Sequence, residues 1–280
     1  MKNHSNNISG ETIEQASDVR NSEIVLNPEL LVDFANCKYK AAQRIAFPSY
    51  PNSPSEIEAI QKYQQGLLKE RWRPTTNDGY EAFNGTLSSS ADFRTLSIRV
   101  FGNVRLIYNR LQCDVDGIEK SFWADGRRPT YSPLLIALSA QPSVLARKTL
   151  ALASIITGKL AGVVPKRGVL IVGPSQQRIT VNLSPEILVL EKAIREVKRM
   201  NDADKEAFFR LNNHCSECAF SRSCRKKAVE IDHLSLLSGI SDKELKKLNG
   251  KGIFSVTQLS YTFRPRRSRK IVPTVKNSYA

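Results

Sequence analysis

No stretch of this 280-residue chain reaches the roughly 18 consecutive apolar residues that a membrane-spanning helix needs. The first 30 residues also lack a basic start followed by an apolar run, which excludes a secretory signal of the usual pattern. Both absences predict a cytoplasmic protein. Cysteine is scarce, with five residues, and in a reducing compartment clustered thiols point to a metal or redox site rather than a disulfide framework. Acidic residues are short in supply as well: 27 Asp and Glu face 42 Lys and Arg, a net charge of +15. The deficit is local, since residues 221–280 hold 14 basic and 4 acidic side chains, or +10, whereas residues 1–36 hold 2 basic and 6 acidic. Such an end suits a polyanion, most naturally nucleic acid, and the plainer alternative is a solvated basic tail. What is present, 41% hydrophobic and 25% charged residues, is ordinary globular composition, long enough for one core and a smaller appendage.

Residues 1–26 are polar without hydrophobic period and predict a mobile leader. Leu30, Leu31, Phe34, Tyr39, Ala42 and Ile45 recur at near-helical spacing and predict one helix from about Asn27 to Ala46, containing Cys37. A second helix is expected from Ser53-Pro54 to about Trp72, followed by a surface loop over Thr75–Ser90. SIRVFGNVRLIY alternates around Gly102-Asn103, a pair suited to a tight primed turn, so a hairpin is expected there. LQCDVDGIEK continues as a third strand, and SPLLIALS, residues 132–139, as a buried one. Residues 143–162 are apolar on most of their circumference and predict a largely buried helix. Residues 167–173 and 177–183 return to strand chemistry. The amphipathic segment from Ser184 begins with that serine as N-cap and Pro185 at the first helical position.

HCSECAFSRSC, residues 214–224, spaces Cys215, Cys218 and Cys224 as C-x2-C-x5-C. Thiolates so spaced can bend around one soft centre, zinc or iron–sulfur. The fourth donor has two cysteine candidates, Cys37 and Cys113. Cys113 lies in a strand pattern where a small buried thiol is expected. His214 is a conceivable zinc ligand, but adjacent Cys215 already takes that position. Further on, Ser241 and Glu244 make a capping box, Gly250-Lys251-Gly252 a hairpin, and Ser255 a cap for a short helix ending near Leu259. This arrangement looks like a helix-hairpin-helix motif, in which backbone N–H groups and the next helix N-terminus face a phosphate without reading sequence. Arg264, Arg266, Arg267, Arg269 and Lys270 follow with no acid between them and would make binding salt-dependent.

The F-x-x-C of Phe34–Cys37 together with the C-x2-C-x5-C segment resembles the RecB-like iron–sulfur nucleases of the PD-(D/E)XK superfamily. The resemblance covers the chain from about residue 27 onward. It implies an α/β restriction-endonuclease-like core, a mixed central sheet flanked by helices, over residues 27–228 with the cysteine cluster included. A helix-hairpin-helix region over 229–262 and a basic tail over 263–280 would follow. It implies a [4Fe-4S] cluster on Cys37, Cys215, Cys218 and Cys224. Glu70, ending QQGLLKE, resembles the acid of the helical G-x-x-x-E segment, and Asp116, before Gly117-Ile118, the metal-binding aspartate. These would hold Mg2+ or Mn2+ as the catalytic pair. The third motif departs from the pattern: Leu135 and Ala137 stand where the acid and lysine of D/E-x-K belong, with Asp125 and Lys148 the nearest substitutes, and the family's Q-x-x-x-Y signature is not evident. Related bacterial chains carry an RNase H-like exonuclease domain afterwards. This chain stops before one, so a truncated or split member is expected, in the split case with a partner supplying that domain. Two functions follow from the resemblance: a metal-dependent DNA nuclease with a structural cluster, or a degenerate core that grips DNA, through Gly250, Lys251, Gly252, Arg264, Arg266 and Arg267, without cutting it.

Overall fold

The structure, a computed structural model, describes residues 25–46, 63–64, 66–69, 79–122, 128–173, 177–200 and 209–262. The chain divides into two compact units, Met1–Phe209 and Arg210–Ala280. The first is α/β, a mixed sheet flanked by helices. The cysteine segment belongs to the second, so the expected core boundary at residue 228 falls inside that unit.

Two helices open the first unit. α1 (Pro28–Asn36) is capped by Asn27, whose side chain accepts from the Leu30 N–H, with Pro28 at the first position. α2 (Lys38–Ala46) follows directly. The single helix expected over this stretch is therefore two, broken at Cys37, whose backbone is extended at φ −159° and ψ 110°. Asp33, buried, spans the break with ion pairs to Lys40 and Arg44 at 2.7 and 2.5 Å.

Short strands β1 (Tyr80–Ala82) and β2 (Gly85–Leu87) lie in the stretch expected to be loop, and helix α3 (Ser90–Thr95) begins at its last residue. Three longer strands follow: β3 (Arg99–Tyr108), β4 (Leu111–Ser121) and β5 (Thr130–Ala137). Helix α4 (Val144–Ala161) crosses to β6 (Arg167–Val172), β7 (Gln177–Asn182) returns, and α5 (Ser184–Arg199) closes the run. The sheet order is β1-β3-β4-β5-β6-β7, with β2 also paired to β3. β3, β4 and β5 form an antiparallel meander, and β6 lies parallel to β5, as a helical crossover requires.

Alternation along each strand sorts side chains to two faces. Leu106, Val115, Leu135 and Leu170 join Leu150, Leu152 and Ile156 of α4 in the main core. A fully buried side chain of this kind is worth about 1.5–3 kcal/mol. Leu134, Ile136, Val169 and Ile171 form a smaller cluster on the other face, with Leu68, Tyr80 and Phe101 packed against it. Two expectations need correction. Gly102-Asn103 is not a hairpin turn, since β3 runs through it and the chain reverses at Asn109, which takes φ 53°. Ser184 does not cap α5: Leu183 holds that position with no side-chain cap bond.

In the second unit a 3-10 turn (Asn213–Glu217) leads into α6 (Ser221–Glu230), a short turn (Leu234–Leu236), α7 (Asp242–Asn249) and α8 (Val256–Thr262). Among the described residues no helix is long and apolar enough to cross a membrane.

Candidate functional site

The register between β3 and β4 singles out Asp116. Phe101 pairs with Gly117 and Val104 with Val115, so Gly102 and Asn103 together face the one residue between, Asp116. Two residues opposite one is a β-bulge, which kinks a strand and re-aims the side chain beside it. Gly102 adopts φ +146°, and a Cβ there would lie 2.2 Å from the Phe83 carbonyl oxygen. The Asn103 N–H donates to Asn84 Oδ1 at 2.9 Å, pinning the bulge to the segment before β2. Gly117 lets the strands approach as well, since a Cβ on it would meet the Val100 carbonyl oxygen at 2.5 Å. Along β4 the core-facing positions step from Cys113 and Val115 to Ile118, so the alternation changes phase at Asp116-Gly117.

Asp116 is 4% exposed. Its Oδ1 meets the Lys69 ammonium at 2.5 Å, and its Oδ2 accepts the Ile136 N–H of β5 at 2.7 Å. Burial raises its pKa above the usual carboxylate value, against the opposing pull of Lys69 and that N–H. The pair borders a cleft of about 360 Å³, lined also by Asn84, Thr86, Asn103 and the cross-strand pair Arg105 and Asp114. Arg105 grips Asp114 with Nε at 2.8 Å and a terminal nitrogen at 3.1 Å, which raises the guanidinium pKa.

A second polar group gathers on β4. Buried Glu119 accepts from both guanidinium ends of Arg178 on β7 and from the Tyr80 hydroxyl on β1. Burial pushes its carboxyl up, but the Arg178 and Tyr80 bonds outweigh it and hold the group below its usual value. Tyr80, losing water and facing that carboxylate, is pushed up to about 12.

Glu70, Asp125, Arg264, Arg266 and Arg267 lie outside the described residues. Leu135 is buried in the main core and Ala137 packs against it, so neither reaches the cleft chemistry. Lys148 does not substitute, because it is buried and paired with Glu186 of α5 at 2.8 Å. Sequence reading missed Lys69, Arg105 and Asp114. The i, i+2 spacing of Asp114 and Asp116 was a usable signal, whereas no local pattern announces a lysine arriving from a distant helical segment.

The residues present do not suit the divalent cation that the resemblance implies. Among the described residues one buried carboxylate serves the cleft, both of its oxygens are engaged, and the neighbouring strand offers only apolar side chains there. Among the described residues no three His, Cys, Asp or Glu side chains are gathered as a metal site.

The second unit carries three of the expected ligands, Cys215, Cys218 and Cys224, and the structure does not gather them as a metal site. Cys215 sits in the 3-10 turn and Cys218 ends it, while Cys224 lies in the first turn of α6; all three are half-buried. The Asn212 N–H donates to Cys215 Sγ at 3.3 Å. Cys37 belongs to the first unit, where its sulfur accepts the Lys40 N–H at 3.4 Å. Cys113 is buried and its thiol pKa is raised by desolvation.

The capping box of Ser241 and Glu244 forms, and Ser255 Oγ accepts the Gln258 N–H as expected. The hairpin between α7 and α8 differs from expectation in its donors. The N–H groups of Gly250, Lys251, Gly252 and Ile253 bond back to α7 carbonyls, and those of Phe254 and Ser255 to Gln258 Oε1. Asp232 takes the next two, Val256 through its carbonyl and Thr257 through its carboxylate. Side chains, not amides, are therefore what this turn offers an anion. Lys251 is exposed, as are Arg222, Arg225 and Lys226 of α6 and Lys243, Lys246 and Lys247 of α7.

Comparison with models of known protein families gives no match. Comparison with curated proteins gives none either.

Proposed function

We propose that the chain is a nucleic-acid-binding protein built on a PD-(D/E)XK-like core whose hydrolytic site is reduced. The order helix, antiparallel meander, crossover helix and parallel strand supports that ancestry, as does an aspartate on the second meander strand beside a bulge. The observation that carries the reading is the state of Asp116, with both oxygens engaged by Lys69 and Ile136 and no acid beside it on β5. Binding falls to the C-terminal unit, where residues 210–280 hold 15 basic and 5 acidic side chains, a net +10. Its lysines and arginines contact phosphates and carry no base code, so binding is insensitive to sequence and sensitive to salt.

In this reading the thiols Cys215, Cys218 and Cys224 of the second unit hold a structural iron–sulfur cluster. The cluster would fasten a segment that has few buried apolar residues of its own. Iron and acid-labile sulfide in anaerobically purified protein, lost in Cys218→Ser, are the expected result; a colourless zinc protein would remove this part of the reading.

Cleavage is the second reading, favoured by one observation: the Asp116–Lys69 pair opens onto a cleft rather than lying sealed in the core. Labelled single- and double-stranded DNA with Mn2+ separates the two. Retained binding with no products in parent or Asp116→Ala is expected, and products that vanish in Asp116→Ala would establish the nuclease instead.

A further inference from the structure

We infer that Lys69 stands where a divalent cation would otherwise sit, so that Asp116 is neutralised from within the chain and the cleft of the parent protein takes no metal. The inference rests on reading this core as a reduced nuclease site and is independent of whether the second unit binds nucleic acid.

The charge count of the cleft leads to it. Its lining includes two carboxylates, Asp114 and Asp116, and two cations, Arg105 and Lys69. Each acid is in contact with one cation: Asp114 with the guanidinium in a two-pronged grip, Asp116 with the ammonium at 2.5 Å. Among the described residues an arriving Mg2+ or Mn2+ would find no net negative charge and no vacant buried carboxylate oxygen, and would have to displace a cation first. Magnesium-type ions also demand near-octahedral oxygen geometry and shed water reluctantly, so they do not compete for a carboxylate already neutralised at contact distance.

The two cations differ in what they guard. Asp114 is 59% exposed in its side chain and can be solvated without Arg105, whereas the Asp116 side chain is 5% exposed and depends on Lys69 or a substitute. Lys69 itself is 41% exposed in its side chain, so truncating it opens a path from solvent to Asp116 rather than a sealed void. The vacated position would then adjoin the Asp116 carboxylate in a cleft whose lining also includes Thr86 and Asn103, residues with side-chain oxygens of the hard kind that Mn2+ accepts. Lys69 is thus a positioning residue that fixes the charge state of the cleft.

Titration of the full-length chain with Mn2+, read by the loss of the free-ion electron paramagnetic resonance signal, tests this without nucleic acid or any activity assay. The parent is expected to take up no Mn2+ that depends on Asp116. Lys69→Ser is expected to bind one ion at least about tenfold more tightly than the parent, and Lys69→Ser with Asp116→Asn is expected to lose it. Lys69→Gln, which keeps the side-chain length without charge, serves if the serine variant does not fold. A parent site abolished by Asp116→Asn would overturn the inference, as would folded Lys69 variants with no gain. If neither Lys69 variant folds, the parent titration against Asp116→Asn decides alone.

Discussion

Asp116 and Lys69 do not share their burden equally. The carboxylate is buried and the lysine half-exposed, so removing the lysine strands a charge while removing the acid releases a side chain to water. Lys69→Met is expected to cost about 2 kcal/mol in denaturant unfolding at neutral pH, and Asp116→Asn much less. The pH dependence follows from the sign of the shift. Asp116 already titrates higher folded than unfolded, and losing Lys69 moves it higher still, so the penalty of Lys69→Met should shrink on acidification and vanish once pH falls below the parent's folded value, where the carboxyl is protonated in both proteins. Glu119 behaves oppositely. Its folded value is depressed, so its contribution is complete above the unfolded value of about 4.3 and is lost as pH falls through the folded one. Arg178→Gln should therefore lower stability at neutral pH by about 1 kcal/mol, a figure kept small because Arg178 is half-exposed, and raise the midpoint of acid unfolding. An unchanged acid midpoint would remove Glu119 from the account.

Among the elements, the bulge of β3 decides the site. Gly102 and Asn103 were legible as residues that bend a chain, but local sequence does not say whether the bend reverses a strand or bulges it. The partner across the ladder decides that, and Asp116 with Gly117 is far away in sequence. Gly117→Ala places a methyl against the Val100 carbonyl and should destabilise by about 1–3 kcal/mol, with Lys69 and Asp116 uncoupled in a double-mutant cycle. The buried helix α4 and the strands β5 to β7 were legible because their apolar runs have no other use than a core. The break between α1 and α2 was not, because Cys37 interrupts no hydrophobic period; the chain turns there through its backbone, with Asp33 bracing both sides. The turn at Gly250–Gly252 had the expected glycines and caps. Its amide bonding was invisible in sequence, since it depends on Asp232 and Gln258 reaching the same few residues.

At the level of the molecule, basic character is densest at the end, where residues 221–280 carry +10 of the chain's +15. The first unit supplies a sheet bordered by a polar cleft, and the second supplies exposed lysines and arginines. Because the hairpin amides are satisfied internally, the proposed phosphate contact would run through side chains, and Lys251→Ala should reduce the slope of log K against log salt by about 1 while weakening all sequences alike. Fluorescence anisotropy over a salt series on two unrelated sequences checks this. The charge asymmetry behind the expectation was plain in the sequence. The plugging of Asp116 was not, because it joins residues 69, 116 and 136, which only the folded sheet brings together. The most direct measurement is metal uptake by the intact chain: Mn2+ titration of parent beside Asp116→Asn should give superimposable curves, and a binding isotherm present in the parent and missing from the variant would contradict the account.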